Sequence, residues 1–204
     1  MSRYRGPITR LSRRLGVMLF TNGKSKAKAF EKKNYKPGEH GQKRFSQASE
    51  YSKQLQEKQK ARFMYGISEK QSKKYYDIAN KHKDVTGVKY MELLEQRLDN
   101  TVYRSGLATT RPQARQLVSH GMLNKNGRRV STPSLLVKTG DVLEIRPNRK
   151  KSKLFEQVEN SKFKPPKWIK VDLKSLKAEI IALPDKDDIE HVIDNQLITE
   201  YYSK

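Results

Sequence analysis

The sequence predicts an α+β protein in which a basic N-terminal extension and a helical part precede a small, turn-rich antiparallel sheet. Three observations carry this expectation. Apolar residues recur at helical spacing from Ser49 to about Gly121. Beyond Gly121 the period falls to two, and Asn126-Gly127, a strong short-hairpin signal, marks the change. Residues 1–46 carry 13 basic against 2 acidic residues, half of the chain's net excess in less than a quarter of its length.

Composition narrows the function classes. Only 34% of the 204 residues are hydrophobic, so the core is small for the length. The 44 Lys and Arg outnumber 22 Asp and Glu, a net charge of +22 that calls for a polyanionic partner, nucleic acid first. The chain has no cysteine, which excludes disulfides and thiolate metal sites. His40, His82, His120 and His191 lie far apart with no i, i+3 or i, i+4 pairing, so no metal site and no cofactor are expected. No apolar run reaches the length of a membrane span. Arg13–Phe20, "RRLGVMLF", is too short for a signal segment and reads as a short helix with an apolar face.

In chain order, Gly6-Pro7, Asn22-Gly23 and Pro37-Gly38 punctuate residues 1–46, leaving little apolar surface to bury. That segment is expected to order against its partner. A helix from about Ser49 to Gly66 follows, with Tyr51, Leu55, Lys58 and Arg62 a turn apart. Ser68 then serves as N-cap of a second helix, with Glu69 in its first turn and Tyr75, Ile78 and Ala79 on its apolar face. Met91, Leu94, Leu98 and Val102 predict one further helix, stopped by Gly106.

"TRPQARQLVSHG", Thr110–Gly121, has helical grammar throughout. Thr110 and Gln113 have capping-box spacing, Pro112 falls in the first turn, and Gly121 stands at the left-handed stop. Ala114, Leu117 and Val118 form its packing face, which leaves Arg111 and Arg115 on an edge not needed for packing. Replacing both by alanine is therefore expected to leave thermal unfolding unchanged. The hairpin at Asn126-Gly127 and a turn at Thr139–Asp141 lead into alternation at Leu143 and Ile145. Residues 148–167 read as a linker. Six acids between Asp185 and Glu200 accompany Ile189, Val192, Ile193 and Leu197 on a presumptive helix, a segment that suits protein better than RNA.

"RLDNTVYRSG", "TRPQARQLVSHG", "NGRRV" and "VKTGD", in this order, resemble the S-four RNA-binding domain, an αL module. With "YRGP", "PGEHG", "EKQKARFMYG" and "NQLITEYYSK", the whole chain resembles the S-four family of small-subunit ribosomal proteins, bacterial or plastid type. The resemblance implies a basic extension over 1–46, a helical domain begun by 47–90 and completed by 151–204, and an S-four module over 91–150 inserted between them. It implies no enzyme but a primary rRNA binder, recognising a 5′-domain multi-helix junction and nucleating assembly of the subunit body. Its place is the cytoplasmic small subunit, or the plastid stroma if organelle-encoded.

The rRNA-binding residues so implied are Arg3, Arg5, Arg10, Arg13 and Arg14 in the extension, and Arg97, Arg111, Arg115, Gln116, His120, Lys125, Arg128 and Arg129 in the module. A-form junctions present phosphates and 2′-OH groups by shape, which suits basic helix edges and loops. Asp99 is expected to orient Arg97 or cap its helix. The family further implies contact with incoming mRNA through Lys43 and Arg44, and with ribosomal protein five through Asp188 and Glu190.

Departures bear on these expectations. Some members hold the extension with a four-cysteine zinc knuckle; without cysteine, this chain is of the zinc-free kind. Glu39 replaces the glutamine usual in "PGQHG", the stretch from His40 to Tyr51 is one residue longer, which shifts the register of Lys43 and Arg44, and Pro112 stands where a basic residue is common. Enzymes that use an S-four module as an anchor, such as rRNA pseudouridine synthases or tyrosyl-tRNA synthetases, need a large catalytic domain, and only 57 residues follow position 147. A generic polyanion binder is the remaining alternative, separated by competition between structured rRNA and duplex DNA.

Overall fold

The computed structural model describes residues 4, 6–19, 24–33, 35–42, 48–150, 152, 154–155, 158, 164–185, 188 and 192–204, with backbone alone at 24–27. The architecture is α+β, as expected, and divides into two compact units: Met1–Tyr90 with Glu190–Lys204, and Met91–Ile189. No helix among the described residues is long and apolar enough to cross a membrane.

The first unit is helical. Its elements are α1 (Ile8–Leu15), α2 (Lys24–Lys32), α3 (Glu50–Met64), α4 (Glu69–Ala79) and the first half of α5 (Thr86–Glu95). The C-terminal helix Asn195–Ser203 completes it, packing along α3. Helix α1 lies earlier than its sequence suggested, because Gly16 takes a left-handed φ of 70° and stops it after Leu15. Side-chain caps start three helices: Ser49 accepts from Ser52 N–H, Ser68 from Gln71 N–H, and Asp194 from the N–H groups of Gln196 and Leu197. The presumptive acidic helix thus begins only at Asn195, with Asp194 as its cap, while Ile189 lies outside the described residues.

The buried face of α3 is Gln54, Lys58, Ala61 and Met64, whereas Tyr51 is exposed. That face is half polar because the partners are polar. Gln54 Nε2 donates to Glu200 Oε2 at 2.9 Å and its Oε1 accepts from Lys204 Nζ at 2.8 Å. Lys58 Nζ lies 2.9 Å from Glu69 Oε1 and over the Tyr201 ring. Tyr202 Oη donates to Glu69 Oε1 at 3.1 Å and sits 2.9 Å from Ser72 Oγ, which in turn pairs with the Tyr90 hydroxyl at 2.7 Å. Its ring stacks on Tyr76.

The second unit packs α6 (Leu98–Arg104) and α7 (Arg111–Ser119) with a five-stranded antiparallel sheet in the order β2-β1-β3-β5-β4. The strands are β1 (Leu123–Lys125), β2 (Arg128–Val130), β3 (Val142–Ile145), β4 (Ile169–Asp172) and β5 (Lys177–Ile180); a short helix α8 (Pro147–Lys150) follows β3, so the C-terminal helix becomes α9. The expected hairpin is present: Asn126 and Gly127 take φ of 51° and 77°, and Leu123, Asn124 and Lys125 pair with Val130, Arg129 and Arg128. Leu143 and Ile145 point into the core and Val142 and Glu144 stand outward in part.

Two expectations need correction here. The helix read as continuous from Met91 to Val102 is broken at Gln96–Arg97, where the backbone turns to the loop at 133–137: Leu98 N–H donates to Leu135 O at 2.8 Å and Val137 N–H to Gln96 O at 2.9 Å. These bonds replace the helical ladder at the break. The stretch read as a linker buries Phe155 and Val158 in the core with Trp168 and Leu176, and β4 and β5 extend the sheet beyond β3. Residues 151–189 therefore complete the second unit, and only Glu190–Lys204 return to the first. Apolar burial decides the boundary.

The tyrosine cluster has a measurable consequence. Burial pushes the Tyr90 hydroxyl up to about 12 against the Ser72 bond that lowers it, and burial likewise raises Tyr202. A tyrosine raised in the fold contributes stability that is whole below its unfolded value near 10 and is lost as pH rises toward 12. Tyr202→Phe, which removes the hydroxyl between Glu69 and Ser72, is expected to cost about 1–2 kcal/mol in denaturant unfolding at neutral pH. The difference from wild type is expected to shrink above pH 10, where the wild-type hydroxyl itself becomes a liability.

Candidate nucleic-acid interface

The second unit gathers most of the residues singled out from the sequence. Thr110 caps α7 through Oγ1, which accepts from Gln113 N–H at 3.2 Å. The reciprocal half of the box is displaced by one residue: Gln113 Oε1 accepts from the N–H and hydroxyl of Thr109. Ala114, Leu117 and Val118 are buried as expected, and Gly121 ends the helix with φ of 62°. The left-handed φ favours glycine there, and a Cβ would displace the Arg129 side chain, whose Nε would lie 2.5 Å away.

The basic residues separate into two sets according to the carboxylates beside them. Arg97 is fully buried, with Nε and Nη2 donating to the two oxygens of Asp99 at 3.1 and 2.8 Å. Arg115 is 9% exposed and its Nη1 reaches Asp99 Oδ2 at 3.4 Å. Both were expected on the RNA face. They are instead the cationic partners of a buried carboxylate, because α6 and α7 close over Asp99 and an interior charge persists only when paired. The expectation that alanine at Arg115 would be thermally silent falls with it. Asp99 orients Arg97, as foreseen.

A second acid repeats the pattern. Glu95 is fully buried at the end of α5 and grips Arg104 with both oxygens, Oε2 accepting from Nε at 2.9 Å and Oε1 from Nη2 at 2.7 Å. Asn100 bridges this pair to α7: its Nδ2 donates to Glu95 Oε2 at 2.6 Å and its Oδ1 accepts from Arg111 Nε at 2.9 Å. The half-buried Arg111 guanidinium lies 4.6 Å over the Tyr103 ring. Sequence reasoning missed Glu95, Asn100, Tyr103 and Arg104. No regular spacing in "ELLEQRLDNTVYR" marks the pairs, since Asp99 reaches two residues back to Arg97 and Glu95 nine forward to Arg104, across a break hidden by reading one helix where two meet.

Lys125 is tied down as well, its Nζ 2.7 Å from Asp141 Oδ2, so the hairpin's lysine is held toward the turn rather than presented. Asp141 also accepts from Asn126 Nδ2 at 2.9 Å and from Lys138 N–H at 2.6 Å. Burial pushes its carboxyl up, but the bonds from Lys125, Lys138 and Asn126 outweigh it and hold it below its ordinary value of 3.8.

The other set reaches solvent. Gln116 is exposed on α7 and His120 at its C-cap, and Arg128 and Arg129 on the edge strand β2, neither arginine having a carboxylate partner among the described residues. Arg129 lies along Gly121, whose carbonyl accepts from Arg146 Nη1 at 3.5 Å, so two guanidinium groups flank the C-terminal end of α7. In the first unit Arg10 and Arg14 are exposed on α1, while Arg13 donates from Nε to Tyr35 O at 2.9 Å and stacks on that ring. Arg3, Arg5, Lys43, Arg44 and Glu190 lie outside the described residues. Asp188 is half-exposed, its Oδ2 accepting from Asp185 N–H. Among the described residues no group of three His, Asp or Glu gathers as a metal site.

Residues 3–95 match the ribosomal protein S4/S9 N-terminal domain and residues 96–143 the S4 domain. Over the whole of both chains the sequence is 45% identical to the small ribosomal subunit protein uS4 of Halothermothrix orenii. It is 46% identical to that of Desulfitobacterium hafniense and 43% to that of Thermus thermophilus, again over both full lengths. The chain belongs to the uS4 family of ribosomal proteins. The uS4 family is structural and non-enzymatic, and the S4 domain that matches here contains α6, α7 and the β1–β2 hairpin, the elements that carry the exposed basic set.

The sign of the Asp141 shift gives a test of the hairpin clamp. A carboxyl lowered in the fold contributes stability above its unfolded value near 3.8 that is lost as pH falls through the folded one. Asp141→Asn is expected to lower the unfolding midpoint at pH 5–7, with the gap from wild type closing as pH drops below about 4. A gap of constant size from pH 3 to 7 would show that the clamp does not depend on the ionised carboxylate.

Proposed function

We propose that this uS4-family chain binds small-subunit rRNA directly, seating the exposed face of its S4 domain on a 5′-domain multi-helix junction and so nucleating assembly of the subunit body. The observation that supports it is the sorting of charge. Asp99, Glu95 and Asp141 pair with Arg97, Arg115, Arg104 and Lys125 within the fold, whereas Arg128 and Arg129, like Gln116 and His120, stand exposed. Phosphates at a folded RNA junction are the natural counter-charge for such a surface, and a chain of net charge +22 gains strongly from them. The exposed Arg10 and Arg14 of α1 extend the same chemistry to the first unit, with Arg3 and Arg5 beside them in sequence.

The family resemblance adds two neighbours to this reading. Exposed Ile181 and Leu183 precede Asp185 and Asp188, an apolar and acidic surface that RNA would reject and that suits ribosomal protein five, with Glu190 in the same stretch. Lys43 and Arg44 are the residues for incoming mRNA, and the contact with ribosomal protein five gives the chain its part in translational accuracy. The place of action is the small ribosomal subunit.

Arg128→Ala with Arg129→Ala tests the rRNA face. The pair is expected to make the slope of log K against log salt shallower by roughly 1.4–1.8 on small-subunit rRNA, about 0.7–0.9 per phosphate. Unfolding is expected to move by no more than about 0.5 kcal/mol, as for exposed substitutions generally. An unchanged slope would exclude the β2 edge from the interface, and equal loss of affinity for duplex DNA would favour a general polyanion binder.

A further inference from the structure

Asn100 is 3% exposed and Glu95 is fully buried, so neither meets RNA, yet both lie in the bonded path that ends at Arg111. We propose that Glu95 and Asn100 are positioning residues that set the Arg111 guanidinium for phosphate, an inference that rests on the rRNA reading above. A carboxamide carries its donors on one arm and its acceptor on the other, so fixing one arm fixes the second. The Nδ2 of Asn100 is fixed by acceptors only, donating to the carboxylate and the backbone carbonyl of Glu95 at 2.6 and 3.2 Å. Oδ1 must then face away, and it meets Arg111 Nε at 2.9 Å.

The relay runs in one direction. Turning Asn100 over would set its oxygen against the Glu95 carboxylate and its N–H groups against a guanidinium, two repulsions in place of two bonds. Glu95 in turn cannot swing, because Arg104 holds both its oxygens. Arg111 is thereby pinned at Nε while its plane rests on Tyr103, at the half-exposed first turn of α7. An arginine ordered before the ligand arrives loses less side-chain entropy on binding, which is how a residue that never touches RNA raises affinity.

A purely structural role for the same residues makes a different forecast, and a double-mutant cycle separates the two. The full chain and its Asn100→Ala, Glu95→Gln, Arg111→Ala and paired variants would be titrated against a small-subunit rRNA transcript, well below their unfolding temperatures. Asn100→Ala and Glu95→Gln are each expected to weaken binding roughly 3- to 10-fold, and to have no further effect once Arg111 is alanine. Tyr103→Leu, which keeps the apolar packing and removes the ring face, is expected to behave likewise and serves if a polar variant fails to fold. Losses of equal size with and without Arg111 would overturn the relay and leave the rRNA reading intact. Arg111→Ala without any effect on rRNA affinity would remove the contact itself, and the relay with it.

Discussion

The second unit is organised around one carboxylate. Asp99 lies at the start of α6, almost wholly buried, with Arg97 on one side and Arg115 on the other. Its Oδ1 also accepts from the adjacent Asn100 N–H at 3.0 Å, within the first turn of the helix. Two guanidinium groups are thus drawn inside by a single negative charge, which ties the break between α5 and α6 to the middle of α7. Burying an ion pair adds little by itself, since desolvation offsets most of the attraction, but removing the acid would strand two buried cations. The constraint fixes geometry more than it adds stability.

Charge sorting in the rest of the module follows from this arrangement. Glu95 treats Arg104 as Asp99 treats Arg97, and Asn100 stands between the two acids and hands its acceptor to Arg111. Asp141 holds Lys125 at the far side of the hairpin. Every carboxylate in these contacts is buried or nearly so, and none is left on the β2 edge to compete with phosphate for Arg128 and Arg129. A protein with so large a net charge does not merely scatter cations over its surface. Three buried acids of this unit, Glu95, Asp99 and Asp141, decide which of its cations are held within the fold.

Local grammar was legible in the sequence wherever a single side chain or backbone torsion decides the outcome. Thr110, Ser49, Ser68 and Gly121 behave as caps and stops must, and Asn126-Gly127 turns the hairpin as its φ tolerance allows. Pairing across the fold was not legible. Arg115 read as an exposed edge with Arg111 because their spacing says only which helix face they share, and Arg97 was placed on the RNA face by resemblance alone; Asp99, which draws in both Arg97 and Arg115, lies just past the break at Gln96–Arg97 that periodicity conceals. The strands β4 and β5 were hidden for a related reason. They flank a turn in which Leu176, not glycine, adopts a φ of 55° and buries its side chain, so no turn signal of the usual kind marks them. The first unit shows the same limit at longer range, since the buried Gln54 and Lys58 of α3 make sense only beside Glu200, Lys204 and Tyr201, almost 150 residues later.

The buried carboxylate at position 99 holds the S4 module in shape, and Asp99→Asn removes its charge alone. Asparagine preserves the volume and one acceptor while deleting the charge that balances Arg97 and Arg115. Denaturant unfolding of the full chain is predicted to lose about 3–5 kcal/mol. At temperatures where the variant remains folded, rRNA affinity is predicted to fall as well, although residue 99 never reaches solvent. A loss below about 1 kcal/mol with rRNA affinity unchanged would contradict the account, and would mean that packing of α6 and α7 on the sheet holds the module without its internal charges.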